Sequence, residues 1–245
     1  EMRAKDAGAL VTKKLAPPGG EPASLEAATL VPKQGAFDGK QLAARADVAL
    51  GEKPGDADVV AVVARVHEEL GDVGRARAIL DDALRSKPKD PDLLFTLARH
   101  LERQKQPLPA VDIVERLLDR GHRGIDELNF VAFTLAENNV RADEAKKDAW
   151  RALVQEPLNA YVVDTLGWAQ LMAGDADLAI ATLKRADRLS PGEAEILFHL
   201  GTALEKKGDK KSALELADKA RALIDDDDPV KPRVEALVDE LKKAS

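Results

Sequence analysis

The sequence predicts an all-α solenoid, a right-handed superhelix of stacked helical hairpins. Two observations predict it. The first is a repeat, because similar segments follow one another at intervals of 34 or 35 residues from position 57 to position 227. The second is composition, since aromatic residues make up only 3 % of the 245 residues while hydrophobic residues make up 44 %. Small aliphatic side chains suit closely packed helices, and so few aromatic residues argue against a β-sandwich or barrel.

Small residues recur at fixed positions of each segment. The segments begin at Ala57, Pro91, Ile125, Ala160 and Ala194. Their twentieth position, counted with a one-residue insertion in the third segment, is occupied by Ala76, Ala110, Ala145, Ala179 and Ala213. Positions 7 and 8 hold a bulky residue followed by a small one, as in Val63-Ala64 and Leu166-Gly167. Because small side chains let two helices approach closely, each segment predicts a pair of packed helices.

A Gly-Asp pair separates the two helices in three of the segments. These pairs are Gly71-Asp72, Gly174-Asp175 and Gly208-Asp209. Glycine tolerates the left-handed backbone that ends a helix, and a proline such as Pro191 does not extend the helix before it. One hairpin does not bury its own apolar face, so successive hairpins are expected to stack on their neighbours.

This pattern resembles the tetratricopeptide repeat, a 34-residue helical hairpin with Leu-Gly in its first helix, Ala in its second and Pro at its end. The fourth segment carries the pattern best, through Leu166-Gly167, Gly174, Ala179 and Pro191. The resemblance implies five full repeats at 57–90, 91–124, 125–159, 160–193 and 194–227. The segments from Leu128 to Leu223, which include the stretch from Asp164 to Trp168, are similar to bacterial members of the family, including scaffolds associated with the cell envelope and exopolysaccharide export.

The segments before the five repeats are expected to link or to complete them. Residues 1–22 contain Pro17-Pro18-Gly19-Gly20 and are predicted to form a linker, trimmed from a larger chain because the sequence opens without an initiator Met. Residues 23–56 form a degenerate half repeat. In that half repeat, Ser24–Leu30 is predicted as a short helix, and residues 38–54 as the second helix of the hairpin.

Residues 228–245 are predicted to contain a capping helix. Apolar residues from Pro232 to Lys242 recur at helical spacing and would cover the open side of the last repeat. The four aspartates before it, Asp225 to Asp228, lack the alternating ligand spacing of a calcium loop. We therefore interpret them as acidic residues that favour the N-terminus of the following helix rather than as a cation site.

No catalytic or cofactor motif appears in the sequence. It contains no cysteine, which excludes disulfides, thiolate metal ligands and a cysteine nucleophile. Its four histidines, His67, His100, His122 and His199, form no two-histidine helical metal motif. Gly-rich phosphate loops and dinucleotide fingerprints are also missing. We predict a protein that is not an enzyme and that uses no cofactor and no metal.

Charge and hydropathy exclude two classes of partner. The net charge of -7 argues against nucleic-acid binding, which needs a basic surface. No apolar run approaches the roughly 20 residues that cross a bilayer, which argues against direct membrane insertion. The sequence does not choose between a cytoplasmic and a cell-envelope location.

The resemblance implies which residues face a partner. In the tetratricopeptide family, positions 2, 5, 9, 12 and 13 of the first helix line a concave groove. Five of the eight aromatic residues fall at such positions: Phe95, Phe133, Tyr161, Trp168 and Phe198. The other predicted groove residues are Arg65, Arg99, Arg103, Asn129, Asp164, Met172 and Thr202.

Large apolar groups on a concave face mark either a binding surface or a site covered by the protein's own chain. The first interpretation predicts a scaffold or adaptor that binds a protein or peptide, with Phe133, Tyr161, Trp168 and Met172 as apolar anchors. The arginines would then contact an acidic flank of the ligand. The alternative is a structural or self-associating module of a cell-envelope or secretion assembly, a possible homo-oligomer, whose groove is filled by residues 1–37.

Overall fold

The computed structural model describes residues 39–226 and 228–243. In these residues it contains twelve helices and no strand. The helices are α1 (Gly39–Glu52), α2 (Ala57–Glu69), α3 (Val73–Ser86), α4 (Pro91–Arg103), α5 (Pro107–Asp119), α6 (Ile125–Glu137), α7 (Ala142–Gln155), α8 (Ala160–Met172), α9 (Ala176–Leu189), α10 (Ala194–Lys206), α11 (Lys210–Leu223) and α12 (Lys231–Lys243). None of the described helices is long and apolar enough to cross a bilayer. The linker predicted at 1–22 and the helix predicted at Ser24–Leu30 lie outside the described residues.

Local sequence explains where the first helix of each predicted repeat begins. Helices α2, α4, α6, α8 and α10 start at the residues that open the predicted repeats. Three of them follow an Asp or Asn side chain that accepts hydrogen bonds from the second and third backbone amides of the helix. These caps are Asp56 (3.1 and 3.2 Å), Asp90 (3.1 and 3.2 Å) and Asn159 (3.1 and 3.4 Å). Such caps satisfy amides that have no acceptor inside the helix.

Glycine and aspartate form the predicted break inside the hairpins. Gly71, Gly174 and Gly208 have φ angles of 84°, 90° and 85°, the left-handed backbone that a residue without Cβ adopts readily. The following residues Asp72 and Asp209 each accept a hydrogen bond from the backbone amide three residues later, at 3.1 and 3.2 Å. The prediction of helix breaks at these Gly-Asp pairs is therefore confirmed.

The chain divides into two compact units, one that ends at Ile113 and one that begins at Val114. In the N-terminal unit, α2 packs against α1, α3 and α4. In the C-terminal unit, α8 packs against α6, α7, α9 and α10. Every residue of α8 from Val162 to Leu171 is buried, so this helix forms the core of its unit.

Close approach of two helices explains a glycine in α8. A Cβ atom at Gly167 would lie 2.6 Å from Cγ of Leu183 on α9 and 3.3 Å from the backbone nitrogen of that residue. The corresponding position in the next hairpin, Gly201, is less tight, since its Cβ would lie 3.3 Å from the carbonyl oxygen of Ala213. The Leu-Gly pair of the repeat pattern thus marks the place where the two helices of a hairpin touch.

The predicted capping helix is present as α12. Its buried apolar face packs against α10 and α11 and consists of Val234, Leu237, Val238 and Leu241. Before the helix, the carboxylate of Asp228 accepts a hydrogen bond from the amide of Val230 at 2.9 Å. Among the described residues, no group of three or more acidic or histidine side chains is arranged to hold a metal ion.

Candidate functional site

In the N-terminal unit, two of the predicted arginines gather around the carboxylate of Glu68 on α2. Oε2 of Glu68 accepts a hydrogen bond from Nε of Arg103 at 2.7 Å and lies 3.4 Å from Nη1 of Arg65. Oε1 of Glu68 contacts Nδ1 of His100 on α4. The side chain of Glu68 is only 5 % exposed, and two guanidinium groups offset its buried charge.

The charge of these arginines is therefore already used inside their own unit. Arg65 also forms an ion pair with Glu69, one turn further along α2. Arg99 is exposed and Phe95 is half-buried. Sequence reasoning missed Glu68, although it occupies position 12 of its repeat, one of the positions that the family resemblance assigns to the groove.

In the C-terminal unit, a buried carboxylate of α8 pairs with a histidine of α10. Nδ1 of His199 lies 2.9 Å from Oδ2 and 3.0 Å from Oδ1 of Asp164. Burial lowers the pKa of His199. The hydrogen bond to Asp164 and the negative charges of Asp164 and Glu195 raise it by more than burial lowers it, so the pKa lies above the ordinary value of a histidine. The position of Asp164 was predicted to face a ligand, and the structure instead turns its carboxylate toward His199.

Aromatic rings surround this pair. The ring of Trp168 stacks on that of His199, with centroids 4.2 Å apart and an angle of 19° between the planes. Phe198 lies beside both rings, 6.1 Å from Trp168 and 5.5 Å from His199. Phe133 on α6 completes the group at 6.5 Å from His199. We call Phe133, Trp168, Phe198 and His199 the aromatic layer, and it draws on helices α6, α8 and α10.

One side chain from the capping helix covers part of the aromatic layer. The guanidinium carbon of Arg233 lies 4.6 Å from the ring centroid of Phe198 and 5.6 Å from that of Trp168. Both of these rings are only 5 % exposed. Arg233 also binds Glu137, the last residue of α6, through two contacts of 2.6 and 3.0 Å. Trp168 and Phe198 are therefore partly covered by one side chain of the same unit.

That side chain belongs to α12. The alternative interpretation of the sequence places residues 1–37 in the predicted groove. Residues 1–37 lie outside the described part of the chain. The remaining predicted anchors are more open. Tyr161 is 40 % exposed, and Phe133 and Met172 are half-buried. The hydroxyl of Thr202 donates to the carbonyl of Phe198 at 2.9 Å and so serves its own helix.

Several polar atoms near the aromatic layer are buried without a partner among the described residues. They are Oδ1 of Asn129, Nε1 of Trp168 and Nε2 of His199. A buried polar atom without a hydrogen bond costs about 1–3 kcal/mol of folding free energy. Glu195 lies in the same region, and its pKa is raised, chiefly because its carboxyl is buried.

A second surface was not predicted from the sequence. On α7, the side chains of Trp150 and Val154 are 58 % and 67 % exposed. They lie four residues apart, on one face of the helix, while Ala145, Ala149 and Ala152 form its buried face. The prediction considered only the first helix of each repeat and therefore overlooked this outer apolar patch.

The sequence model of the tetratricopeptide repeat matches residues 40–94 and 170–237, together about half of the chain. The chain belongs to the tetratricopeptide repeat family. This confirms the family resemblance and the all-α fold class. The membership also supports a general role as a scaffold for protein-protein interaction, and the fold of this family is generally non-enzymatic.

Two curated Pseudomonas proteins match parts of the chain. The probable biofilm formation methyltransferase WspC of Pseudomonas putida is 32 % identical over 120 residues, which are 49 % of this chain and 28 % of that protein. The chain covers 28 % and 30 % of the lengths of two curated relatives that it matches.

Solved structures share the fold. TTC0263, a tetratricopeptide repeat protein of Thermus thermophilus, superposes with a TM-score of 0.61 at 22 % sequence identity. The match covers 75 % of this chain and 99 % of TTC0263. YrrB, described as a tetratricopeptide repeat protein with an unusual peptide-binding site, superposes with a TM-score of 0.55 at 20 % sequence identity. The match covers 81 % of this chain and 97 % of YrrB.

Proposed function

We propose that this chain is a non-enzymatic scaffold that binds a protein or peptide partner on helices α6, α8 and α10 of its C-terminal unit. The observation that carries the proposal is the aromatic layer, four rings from these three helices beneath one partly exposed side chain, Arg233. Aromatic side chains held together on neighbouring helices are typical of the residues that dominate binding energy at protein interfaces.

Side chains beside the layer support the same role. Phe133 and Met172 are half-buried and Tyr161 is exposed, so these three would provide the apolar contact with a partner.

Two relatives bear on the proposal in different ways. YrrB is described as having a peptide-binding site, and its fold is that of this chain. WspC is named as a methyltransferase, but it matches only 49 % of this chain and 28 % of its own length. We therefore do not assign methyl transfer to this chain, and the proposed role is binding alone.

The test uses peptides selected from a random display library against the full chain. Their affinity is measured by calorimetry for the wild type, for Phe133→Ala and for the matched control Val154→Ala on α7. Phe133→Ala should weaken binding about tenfold or more, because a central aromatic anchor typically contributes over 1 kcal/mol, while Val154→Ala should not. Equal affinity of Phe133→Ala and the wild type for every selected peptide would contradict the proposal.

Self-association is the second candidate function, and the exposed pair Trp150 and Val154 favours it. An apolar patch on a helix surface is a common place for two copies of a chain to meet. Sedimentation velocity over a range of concentrations would compare the wild type with Trp150→Lys. A dimer in the wild type that is lost in the variant supports this function, and a monomeric wild type excludes it.

A further inference from the structure

Three helices of the C-terminal unit converge on one guanidinium group. Glu137 comes from the end of α6, Trp168 from α8 and Phe198 from α10, and the group that they surround belongs to Arg233 of α12. The carboxylate of Glu137 meets the guanidinium through both of its oxygens, at 2.6 and 3.0 Å. We call Glu137, Trp168 and Phe198 the arginine cradle.

We propose that the arginine cradle recognises an arginine side chain of the partner, and that Arg233 occupies it when no partner is bound. This inference rests on the proposed function and names the chemistry of its ligand. The occupant seen in the structure is the argument for that chemistry, because a site already filled by one guanidinium has the shape and charge to accept another.

The cradle distinguishes arginine from other cations. A guanidinium group is planar, so it stacks on aromatic faces and presents two parallel N–H groups to one carboxylate. An ammonium group is a compact point charge and does not make both contacts at once. A neutral urea group of the same shape, as in citrulline, would lack the charge that Glu137 and the ring faces attract.

A second carboxyl lies within reach of the same charge. Glu195, in the first turn of α10, interacts electrostatically with Arg233, Glu137 and Asp164. Burial raises the pKa of Glu195, so the cations around it do not fully offset the loss of water. Three acidic groups, Glu137, Asp164 and Glu195, interact in this region with two basic ones, Arg233 and His199. Departure of Arg233 would leave the acidic groups in excess, which suits a basic ligand better than a ligand with the acidic flank expected from the sequence.

Arg233 can leave the cradle without displacement of its helix. The side chains of Arg233 and Glu137 are 32 % and 26 % exposed, so the guanidinium group already borders solvent and can be hydrated when it leaves. By contrast, the apolar face of α12 is fully packed against α10 and α11, and its removal would expose Val234, Leu237, Val238 and Leu241. A change in the rotamer of one side chain is thus the cheaper way to open the cradle.

The experiment measures binding of N-acetyl-arginine amide to the full chain. Fluorescence of Trp168 reports on the cradle in a background that carries Trp150→Phe, which removes the other tryptophan. In this background, Arg233→Ala should bind the probe about tenfold more tightly than the parent, the Trp150→Phe variant, because the side chain of Arg233 no longer competes for the cradle. The matched control is Lys242→Ala, which removes the same charge from the same helix but from a residue paired with Asp218. It should bind like the parent.

Two further measurements make the result specific. N-acetyl-lysine amide and N-acetyl-citrulline amide should gain no affinity from Arg233→Ala, and adding Glu137→Gln to Arg233→Ala should abolish the gain for the arginine probe. Arg233→Met keeps the aliphatic stem of the side chain and should give the same gain, which guards against a folding defect in the alanine variant. Equal affinity of Arg233→Ala and Lys242→Ala for the arginine probe would overturn the inference, as would equal binding of arginine and lysine probes.

Failure of this inference differs from failure of the proposed function. If Phe133→Ala weakens the selected peptides but Arg233→Ala gains nothing for the arginine probe, the scaffold function stands and the arginine cradle is refuted. If Phe133→Ala leaves those peptides unaffected, the proposed binding surface itself is wrong. Exchange of α12 between two copies would appear as a dimer in sedimentation and would also overturn the inference, since the cradle would then serve a second copy of the chain.

Discussion

The two units of the molecule both place a histidine against an acidic residue of a neighbouring helix, but they complete the pair differently. In the N-terminal unit, Glu68 contacts His100 and also two arginines. In the C-terminal unit, Asp164 binds His199, aromatic rings surround the pair, and Arg233 contacts two of those rings rather than the carboxylate of Asp164.

The difference shows that one family of repeats surrounds a buried acidic group in two ways. In the N-terminal unit, two arginines offset the buried charge of Glu68. In the C-terminal unit, Nε1 of Trp168 and Nε2 of His199 have no hydrogen-bond partner among the described residues, and the proposed binding surface lies on the same helices. The same helical hairpin supports either arrangement.

Removal of each histidine would sharpen this comparison most strongly. His199→Ala leaves the buried carboxylate of Asp164 without its cation, and loss of one member of a buried pair typically costs about 3–5 kcal/mol of unfolding free energy. His100→Ala leaves Glu68 with Arg65 and Arg103, so we expect a cost of about 1–3 kcal/mol. Urea unfolding followed by circular dichroism compares the two. Equal losses would show that the arginines around Glu68 provide no compensation.

Helix packing distinguishes the units on a smaller scale. The eighth position of the repeat is Ala64 or Ala98 in the N-terminal unit, whereas in the C-terminal unit it is Ala132, Gly167 or Gly201. Gly167→Ala would place a Cβ against Leu183, and overpacking of this kind costs about 1–3 kcal/mol despite the higher helix propensity of alanine.

The control for this substitution is Gly201→Ala, whose added Cβ meets its nearest neighbour at 3.3 Å rather than 2.6 Å. Gly167→Ala should have a lower melting temperature than Gly201→Ala in thermal unfolding. The reverse order would mean that α8 and α9 have room to separate.

The pH dependence of stability provides the mildest test. The raised pKa of His199 means that the folded state keeps this proton after the unfolded state has lost it, so the unfolding free energy should fall as the pH rises above about 6.5, the ordinary value. One proton contributes at most about 1.4 kcal/mol per pH unit. The raised pKa of Glu195 acts with the same sign at lower pH.

His199→Gln should flatten this part of the profile. Unfolding free energies of the wild type and of the variant, measured between mildly acidic and mildly alkaline pH, provide the comparison. An unchanged slope in His199→Gln would show that the Asp164 pair does not hold the proton.

Most of the fold was predictable because its signals are local. The breaks at Gly71, Gly174 and Gly208 and the caps at Asp56 and Asp90 depend on residues that lie within one turn of the feature they define. Repetition then multiplies a weak local pattern into a strong one. The amphipathic spacing of α12 was equally readable.

The site was less predictable because its contacts join distant residues. Arg103 and Glu68 lie 35 positions apart, and Arg233 and Glu137 lie 96 positions apart. The repeat register places such residues on neighbouring helices but does not reveal which side chains meet. For this reason the sequence assigned Arg65 and Arg103 to a ligand and gave no role to Arg233.

The most direct test of the account is a crosslinking map of the bound peptide. A peptide selected on the full chain would carry a benzophenone group, and mass spectrometry would identify the residues that it labels. The account predicts labels on α6, α8 and α10, near Phe133 and Tyr161. Labels confined to the outer surface of α7 around Trp150, or to the helices of the N-terminal unit, would contradict it.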